Sequence, residues 1–540
     1  MKHSTQSALK QAIEACAAEP IHHIGNIQPH GALLALSADF NRTVIQASAN
    51  IGYFIDLPPE GALGKPLAEL IGNTSAIQIE SLIQDTKTHM TATGVVSVSQ
   101  QQASIDIDAH VYIADDRYVV ELCRDNGLPS REKLGDLLIQ MQDTLLAIEL
   151  EAESTHYFEQ IVQLIRTLSS YDSVMVYRFD ANWDGEVITQ NSIETAPSFL
   201  GVHFPANDIP AQARYLYTKN LVRIVTDATA KPVPIVPALT LNNQRPLDMT
   251  YSALRSLSPT HMDYLSNMGV KASMVISLME NGRLWGLISC HHMSPKRVSF
   301  AMREAAIFIG RMVSRKLTSI TILEENQLLD KTMHIKAAFL KTIYSQSVTS
   351  IIKNQSLDLL NLVNATGLII IVEGTRYLHG LVPAMGDIDK LLDWLIQQKT
   401  DHFSCDKLSD IFPPAIAYQD IASGLITTSL LSDMQNSIIW LRKDKPRSIK
   451  WAGSYEEGLQ QKSSGDFHLT PRKSFENWTE LWLGHAEPWT TLEIKIVNSF
   501  GQALSESLAQ KQRNQLTKNE NIQLNNDLKA NSNFIVTENM

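Results

Sequence analysis

The stretch of residues 300–340 limits the possible folds of this chain more than any other part. It contains one glycine and no proline, and its apolar residues recur at the spacing of one helix face. These residues are Ile307, Phe308, Met312, Leu317, Ile320, Leu323 and Leu328. We therefore predict one long helix that connects separate domains. At about 150 residues per domain, a chain of 540 residues has about three to four of them, which excludes a single compact domain.

The sequence before and after this helix carries the alternating pattern of antiparallel strands. Residues 105–113 alternate in hydrophobicity, a polar turn follows at 114–117, and residues 118–122 resume the pattern, which predicts a half-buried hairpin. A second hairpin is predicted at Asn281-Gly282, because these residues tolerate the positive φ of a tight turn. Further strands are predicted at residues 173–179, 273–278, 284–288, 367–372 and 438–441. The fold class is therefore α+β.

Helical spacing predicts further helices, one over residues 134–168 and one that closes the last domain. The closing helix carries an apolar stripe at Val497, Phe500, Leu504 and Leu508. The residues after it, 511–540, have a weak heptad pattern that could begin a dimer helix or could equally fray.

A long segment at residues 442–487 lacks clear periodicity. With the bordering Trp489, it holds Trp451, Trp478 and Trp482, half of the eight tryptophans in the chain. Disordered segments avoid large aromatic residues, so this density favours a functional segment.

Charge and motifs argue against several classes of protein. The net charge of −11 without a basic block argues against nucleic acid or a membrane as partner. No apolar run has the ~18–20 residues of a membrane span, and the polar N-terminus is unlike a signal peptide, so we predict a cytoplasmic protein. Nucleotide-binding and hydrolase motifs are absent, which argues against an enzyme. The cysteines Cys16, Cys123, Cys290 and Cys405 form no C-x-x-C pair, which argues against disulfides and zinc.

Three clusters of polar residues, prolines and glycines are candidate sites. Residues 16–31 place a thiol in a flexible arm, either as a tethered nucleophile or in an ordinary linker. Residues 204–217 hold Asp208 between two prolines, either as a rigid carboxylate or as an Asx turn or helix cap. The third cluster, residues 248–292, ends in two adjacent histidines that would point apart on a strand, so a metal site there is disfavoured.

Together these motifs resemble the phytochrome family, in particular the bacterial phytochromes that use biliverdin. The resemblance rests on a cysteine just before E-P-I-H…I-Q-P-H-G, on P-A-N-D-I-P, on R-S-L-S-P-T-H-M, on L-W-G-L-I-S-C-H-H and on P-R-K-S-F-E-x-W, in the order of the family. It covers essentially residues 10–510 and implies PAS, GAF and PHY domains. The implied boundaries are an arm at 1–20, PAS at 21–128, GAF at 129–320, PHY at 321–510 with a tongue at about 442–487, and a helical tail at 511–540.

The resemblance implies a covalently attached biliverdin. Cys16 would form a thioether with the A-ring vinyl group, Arg223 and Arg255 would hold the propionates, and Ser273 would touch a propionate. These roles suit the chemistry, since a linear tetrapyrrole with two carboxylates needs an apolar slot and guanidinium groups.

The resemblance also assigns the residues around the pyrrole rings. The main-chain carbonyl of Asp208 and a water held by His261 would meet the ring nitrogens, and His291 would bond the D-ring carbonyl. The other implied pocket residues are Tyr177, Phe204, Ile209, Tyr217 and Tyr264.

A light-driven switch is implied as well. Isomerisation of the C15=C16 bond would rotate the D-ring, break a pair between Asp208 and Arg472 and refold the tongue between sheet and helix. The N-terminal arm, around Ile27, would be knotted through a loop of the GAF domain.

The sequence departs from the family at a few positions. Val275 stands where relatives commonly carry a hydroxyl, so one hydrogen bond to the chromophore would be lost. Ile24 replaces a frequent proline, and Asn207 replaces a serine. No histidine kinase or cyclase follows the PHY region, so the chain is either a photosensory fragment or acts on a partner in trans. We expect a homodimer through the helices at roughly 300–340 and 488–530.

Three alternatives remain open at this stage. A light-insensitive ligand-binding or interaction module is disfavoured by the presence of Cys16, Asp208, His261 and His291. A fluorescent emitter is disfavoured by the intact Asp208, and an enzyme has no motif in its favour. The motifs do not distinguish a red-absorbing from a far-red-absorbing resting state.

Overall fold

The computed structural model describes residues 17–100, 103–124, 139, 141–142, 145–146, 154–240, 244–343, 348–372, 374–430, 433–453, 459–461, 467–469 and 477–537. The chain forms two compact units. The first comprises Met1–Ser319 with Lys450–Thr479, and the second comprises Ile320–Ile449 with Glu480–Met540. Cys16 and Arg472 lie outside the described residues.

The N-terminal part of the first unit is built around one antiparallel sheet. Its strands from this part of the chain are β1 (Asn26–Ile27), β2 (Gly31–Leu36), β3 (Val44–Ser48), β4 (Thr91–Gln100), β5 (Ala103–Ala114) and β6 (Arg117–Cys123). Its helices are Gly52–Ile55, Pro59–Ala62, Leu67–Ile71 and Asn73–His89. The hairpin predicted at residues 105–122 is confirmed, because β5 pairs with β6 and Ile113 lies opposite Tyr118.

The prediction that this hairpin is half buried is wrong. One face packs on the domain's own helices through residues such as Ile107 and Val111. Tyr112 on the opposite face is also fully buried, in a second core with Leu247 and Leu254. The second core comes from a distant part of the chain, which local alternation cannot register.

A second sheet follows in the same unit. The part of the chain that builds it forms β7 (Ser173–Phe179), β8 (Gly185–Ser192), β9 (Val202–Phe204), β10 (Val222–Val225), β11 (Val233–Val236), β12 (Ala272–Glu280) and β13 (Arg283–His292). Of these strands, β11 belongs to the first sheet. The helices are Ser154–Ser169, Ala211–Lys219 and Pro259–Asn267, with a 3₁₀ turn at Ala206–Asp208. The predicted tight turn joins β12 to β13, and Asn281 and Gly282 have φ values of 48° and 78°.

The two faces of the second sheet have different roles. One face packs against Ser154–Ser169 and the start of Phe300–Ile343, through residues such as Ile165 and Ile309. The other face carries Tyr177 and Val275 and supports the candidate site described below.

The N-terminal arm is held by a segment that follows β10. Strand β1 pairs with β11, which also pairs with β3, and β11 thereby joins the first sheet. The amide of Gln28 donates to the carbonyl of Leu254 at 2.8 Å, and the amide of Met249 donates to the carbonyl of His22 at 2.8 Å. The threading of the arm through a knot stays a prediction.

The second unit contains a five-stranded antiparallel sheet in the order β15-β14-β18-β17-β16. Its strands are β14 (Gly367–Val372), β15 (Thr375–Gly380), β16 (His402–Cys405), β17 (Gly424–Leu430) and β18 (Asp433–Arg442). Its helices, besides the two long ones described below, are Val348–Asn361, Met385–Gln398 and Leu408–Ile411, with a 3₁₀ segment at Pro413–Tyr418. Cores form on both faces, one around Trp440 and Phe500 and the other around Ile439 and Leu391.

The segment predicted to be functional contains short strands. They are β19 (Arg447–Ala452), β20 (Leu459–Gln461), β21 (Phe467–Leu469) and β22 (Asn477–Trp482). Lys450 and Trp451 of β19 pair in parallel with Val202 and His203 of β9.

Two long helices match the sequence-based expectation. The first is Phe300–Ile343, with 44 residues, and the second is Thr491–Thr537, with 47 residues. Among the residues that the structure describes, no helix combines the length and apolar character needed to cross a bilayer.

Candidate functional site

A cavity of about 640 Å³, including its open mouth, lies on one face of the second sheet. Strands β10 and β12 supply alternate residues to it, since side chains two positions apart share a face. Five residues predicted from the sequence line this cavity. They are Tyr217, Arg223, Arg255, His261 and Ser273.

Arg223 and Arg255 are the buried cations of this cavity, each with 8% of its surface exposed. The Arg223 guanidinium donates to the main-chain carbonyls of Arg255 and Ser256. Arg255 donates through Nη1 to the carbonyl of Ile21 at 3.1 Å, and its buried Nε has no hydrogen-bond partner among the described residues. Within that part of the chain, neither guanidinium forms an ion pair with a carboxylate.

The environment disfavours two positive charges so close together. Burial, and then the charge of Arg255, lowers the pKa of Arg223 to about 9. Burial likewise lowers the pKa of Arg255. A bound anion would relieve this unfavourable state, because an opposite charge favours the protonated guanidinium.

Two histidines predicted for the site, the half-buried His261 of the cavity lining and the buried His291, are neutral at physiological pH. Burial, and then the charges of Arg223 and Arg255, lowers the pKa of His261 to about 4, and burial lowers that of His291 to about 4. His261 lies in the first turn of the Pro259–Asn267 helix, which is capped by Ser258. The Nε2 atom of His291 lies 3.0 Å from Ser289 Oγ.

The Asp208 loop lies between β9 and the Ala211–Lys219 helix. Pro205 and Pro210 precede the 3₁₀ turn and the helix and fix the backbone on either side of Asp208. The Tyr264 hydroxyl donates to Asp208 Oδ2 at 3.0 Å. The structure therefore joins two residues that the sequence assigned separately, and the Asp208–Arg472 pair stays a prediction.

Of the predicted aromatic wall, Tyr217 lines the cavity, whereas Tyr177, Phe204 and Tyr264 do not. Of the described residues, Tyr177, Phe204 and Ile209 are absent from the lining, but they share an apolar cluster with Val275, which does line it. A Cβ on Gly185 would lie 1.7 Å from Tyr177 Cζ, so only glycine leaves room for this ring.

Two polar residues that hold the site together were missed by the sequence analysis. Glu121 of β6 is 1% exposed and accepts hydrogen bonds from the amides of Ala253 and Leu254, just before Arg255. Gln28 of the arm donates to the carbonyl of Ile224 at 2.9 Å. The signal for Glu121 was present, because a lone carboxylate interrupts the apolar run at residues 118–122.

The residues present fit a linear tetrapyrrole. The cavity has the size of a small-molecule site, and it combines apolar walls with two guanidinium groups that lack an anion. Ser273 and His261 add polar groups on the same lining. Such a set can bind a flat apolar ligand that carries carboxylates.

Comparison with known proteins gives consistent matches along the chain. The PAS fold model matches residues 16–123, the GAF domain model residues 155–317 and the phytochrome region model residues 332–513. Cyanobacterial phytochrome B from Nostoc is 34% identical over 499 residues, and a bacteriophytochrome from Xanthomonas campestris is 28% identical over 502 residues. The alignments cover 92% and 90% of this chain, and 66% and 77% of those proteins.

Solved structures agree with these matches. A bacteriophytochrome from R. palustris superposes with a TM-score of 0.80 at 28% identity, over 92% of this chain and 99% of that one. The phytochrome photosensory core module of Stigmatella aurantiaca superposes with a TM-score of 0.78, over 92% of this chain and 98% of that one. Since that module is 31% identical to this chain, the chain belongs to the phytochrome family, and its PAS, GAF and PHY domains match the photosensory core of that family.

Proposed function

We propose that the chain is a red/far-red photoreceptor whose GAF cavity holds biliverdin, attached covalently through Cys16. The observation that carries this proposal is the buried pair of Arg223 and Arg255, which faces the cavity without a carboxylate partner among the described residues. Two propionates would supply the missing negative charge. When bound, biliverdin would supply light absorption and isomerisation at its C15=C16 bond.

The chain's own residues would orient the chromophore. Arg223 and Arg255 would hold the propionates, and Ser273 would add a hydroxyl on the same side. Neutral His261 and His291 would provide hydrogen bonds without adding charge to a site that already buries two cations. Tyr264 would keep the Asp208 carboxylate oriented through its 3.0 Å hydrogen bond.

The position of the arm supports attachment at Cys16. Ile21 lines the cavity and accepts a hydrogen bond from Arg255. Five residues of extended chain span at most about 17–18 Å, so Cys16 stays within that distance of Ile21. Burial raises the pKa of Cys123 and Cys405 to about 12, which keeps both thiols protonated and unreactive.

We further propose that the structure of the tongue depends on the conformation of the Asp208 loop, through the pair between Asp208 and Arg472. In support, β19 of the tongue pairs with β9, the strand that leads into this loop. The rings of His203 and Trp451 lie 5.6 Å apart at the same place. A change in the Asp208 loop would therefore reach the tongue through the directly paired strands β9 and β19. A switch requires such an element with two alternative structures, and we propose that the tongue is that element.

The absorption spectrum after incubation with biliverdin tests the main proposal. We expect a band near ~700 nm that red and far-red light interconvert reversibly with a longer-wavelength band. The direction of recovery in darkness would identify the resting state. A band that light cannot shift would contradict photoreception and favour a light-insensitive PAS–GAF–PHY scaffold.

Attachment is tested separately with cysteine variants. Cys16→Ala should abolish zinc-dependent bilin fluorescence on a denaturing gel while leaving some noncovalent binding. Cys123→Ala is the matched control and should leave attachment unchanged. Fluorescence that persists in Cys16→Ala would overturn the Cys16 assignment.

We also propose a homodimer and an output outside this chain. The helix Phe300–Ile343 exposes Phe308, Ile322, Leu323 and Met333 by 47–65%, which is typical of a helix that packs against a partner. The chain spans 66% and 64% of the length of two cyanobacterial phytochromes, and the proposed output is a kinase, a cyclase or a partner in trans. Sedimentation of only monomers at micromolar concentration would contradict the dimer, and the cytoplasmic location stays a prediction.

A further inference from the structure

A carboxylate from the PAS domain holds residues 252–256, the segment of the GAF domain that leads to its cavity. None of these described residues lies in a helix or a strand, so their buried main-chain groups need partners from elsewhere. Glu121 of β6 accepts from the amides of Ala253 at 2.8 Å and Leu254 at 3.3 Å. It also accepts from the Ser252 hydroxyl. One side chain therefore satisfies three donors of the segment.

The same contact fixes the main chain of Arg255. The Ser252 oxygen accepts from the Arg255 amide at 2.8 Å, while the Ser252 hydroxyl donates to Glu121. The Arg255 guanidinium donates through Nη1 to the carbonyl of Ile21, and its buried Nε has no hydrogen-bond partner among the described residues. Because few bonds hold this side chain, the position of its guanidinium depends on the main chain that carries it.

The second arginine of the cavity depends on the same segment. Arg223 donates to the carbonyl of Ala253 at 3.4 Å and to the carbonyls of Arg255 and Ser256. The amides of the segment therefore bond to Glu121, and its carbonyls bond to Arg223. A shift of the segment would displace both guanidinium groups.

A buried carboxylate is a costly way to hold a loop. Glu121 is 1% exposed and lies between the fully buried Val120 and Leu122, and burial raises the pKa of its carboxyl group. An apolar residue at this position would avoid the cost of burying a charge. It would, however, leave the amides of residues 253 and 254 without an acceptor. The side chain is therefore suited to holding the segment rather than to packing alone.

We propose that Glu121 is a positioning residue for bilin binding. Through this carboxylate and Ser252, the PAS domain sets Arg255, and with it Arg223, in place for the two propionates. The inference rests on the proposed function, because it needs propionates on these arginines. It adds that the affinity of the GAF cavity depends on a PAS side chain that does not line that cavity.

A double-mutant cycle in the full chain tests this role, with biliverdin affinity as the readout. Cys16→Ala in every variant keeps the binding reversible. Glu121→Gln preserves the size of the side chain but presents an NH₂ group to the donors, and it should weaken binding about tenfold. Arg255→Met should also weaken it about tenfold. Together the two changes should cost about twentyfold, whereas independent effects would multiply to about a hundredfold. A multiplicative loss, or no loss from Glu121→Gln, would overturn the inference.

The dimethyl ester of biliverdin distinguishes positioning from a general loss of structure. It lacks both carboxylates, so Glu121→Gln should change its affinity less than about twofold. Equal losses for biliverdin and its ester would show that Glu121 only supports the fold, which would also overturn the inference. Glu60→Gln, at an exposed position of the PAS domain, is the matched control and should change neither affinity.

A second variant covers the case in which Glu121→Gln does not fold. Ser252→Ala removes only the hydroxyl between Glu121 and Arg255, and it should weaken the binding of biliverdin but not of the ester. Equal losses for the two ligands in Ser252→Ala would overturn the inference. If the parent chain binds no biliverdin, the proposed function fails and this role fails with it. If the parent binds and the ester comparison shows no difference, only this role fails.

Discussion

Buried arginines occur in both the GAF and the PHY domains, but they have different partners. In the PHY domain, Arg442 is 7% exposed and forms a buried ion pair with Glu493. It also donates to the carbonyls of Val363, Glu487 and Pro488, and its guanidinium lies 3.8 Å from the centre of the Trp489 ring. In the GAF domain, Arg223 has only carbonyl partners among the described residues.

The difference identifies Arg442 as a structural cation and supports the proposed binding role of Arg223. Arg442 lies at the start of the segment 442–487, and Glu493 lies just after its end. One ion pair therefore joins the two ends of this segment, and the chain itself supplies the negative charge. At Arg223 the described residues supply none, so the buried charge costs free energy until an anionic ligand binds.

Among the substitutions, the largest effect is expected from Arg442→Met, which tests the structural half of this comparison. The substitution leaves the Glu493 carboxylate buried without its partner, which costs about 3–5 kcal/mol of unfolding free energy. Denaturant titration of the full chain measures it. Arg376→Met is the control, because the exposed Arg376–Asp389 pair contributes only about 0–1 kcal/mol. Similar losses in the two variants would remove the distinction.

Acid should affect the two regions differently. The pKa of His30, His261 and His291 is lowered to about 4 in the folded chain, so below pH ~6.5 the unfolded chain binds more protons. Their contribution to the free energy of unfolding is complete above pH ~6.5. It decreases as the pH falls towards 4, by about 2–3 kcal/mol for each histidine. In the second unit, burial also lowers the pKa of His485, which is half-buried.

Hydrogen exchange at pH 7 and pH 5 measures this difference strand by strand. Strands β10 and β12 should lose protection at pH 5 relative to β14 and β17, which serve as the internal reference. An equal loss in both units would show that His30, His261 and His291 do not govern the acid response.

The sequence predicted elements that depend on local pattern and missed those that depend on distant contacts. The strand Ser173–Phe179, the turn at Asn281-Gly282 and the helix Phe300–Ile343 follow from periodicity and turn chemistry. Burial of both faces of β5 does not follow from local pattern, because the second face is covered by residues such as Leu247 and Leu254, more than 100 positions away. The same limit hid the ion pair of Arg442, whose partner lies 51 residues further along.

The candidate site likewise contains residues that the sequence predicted and residues that it missed. The family motifs identified Arg223, Arg255 and His261, and the structure brings them to one cavity. Glu121 lies in another domain, and its hydrogen bonds to residues 252–254 depend on how the PAS and GAF domains pack. A motif records which residues recur, but it does not record which side chain from elsewhere supports them.

An intermediate effect is expected from Gly185→Ala, which alters packing in the GAF domain without changing any charge. The added Cβ would lie 1.7 Å from Tyr177 Cζ, so the ring must move, at a cost of about 1–3 kcal/mol. Denaturant titration and biliverdin binding should both report it. Gly201→Ala is the control for space, because nothing lies within 4 Å of its Cβ position, although its φ of 72° adds backbone strain. Unchanged biliverdin binding in Gly185→Ala would show that the Tyr177 wall does not shape the site.

The smallest change in stability is expected from Arg223→Met in the chromophore-free chain. Removal of a buried cation without a carboxylate partner relieves a desolvation cost, and this offsets the loss of its bonds to main-chain carbonyls, so we expect less than about 1 kcal/mol. Biliverdin affinity should nevertheless fall about tenfold, since one propionate loses its charged partner. Arg178→Met, at an exposed pair with Glu186, should change neither quantity. If Arg223→Met destabilises the free chain as much as Arg442→Met does, then Arg223 is a structural cation as well, and the contrast between the two domains fails.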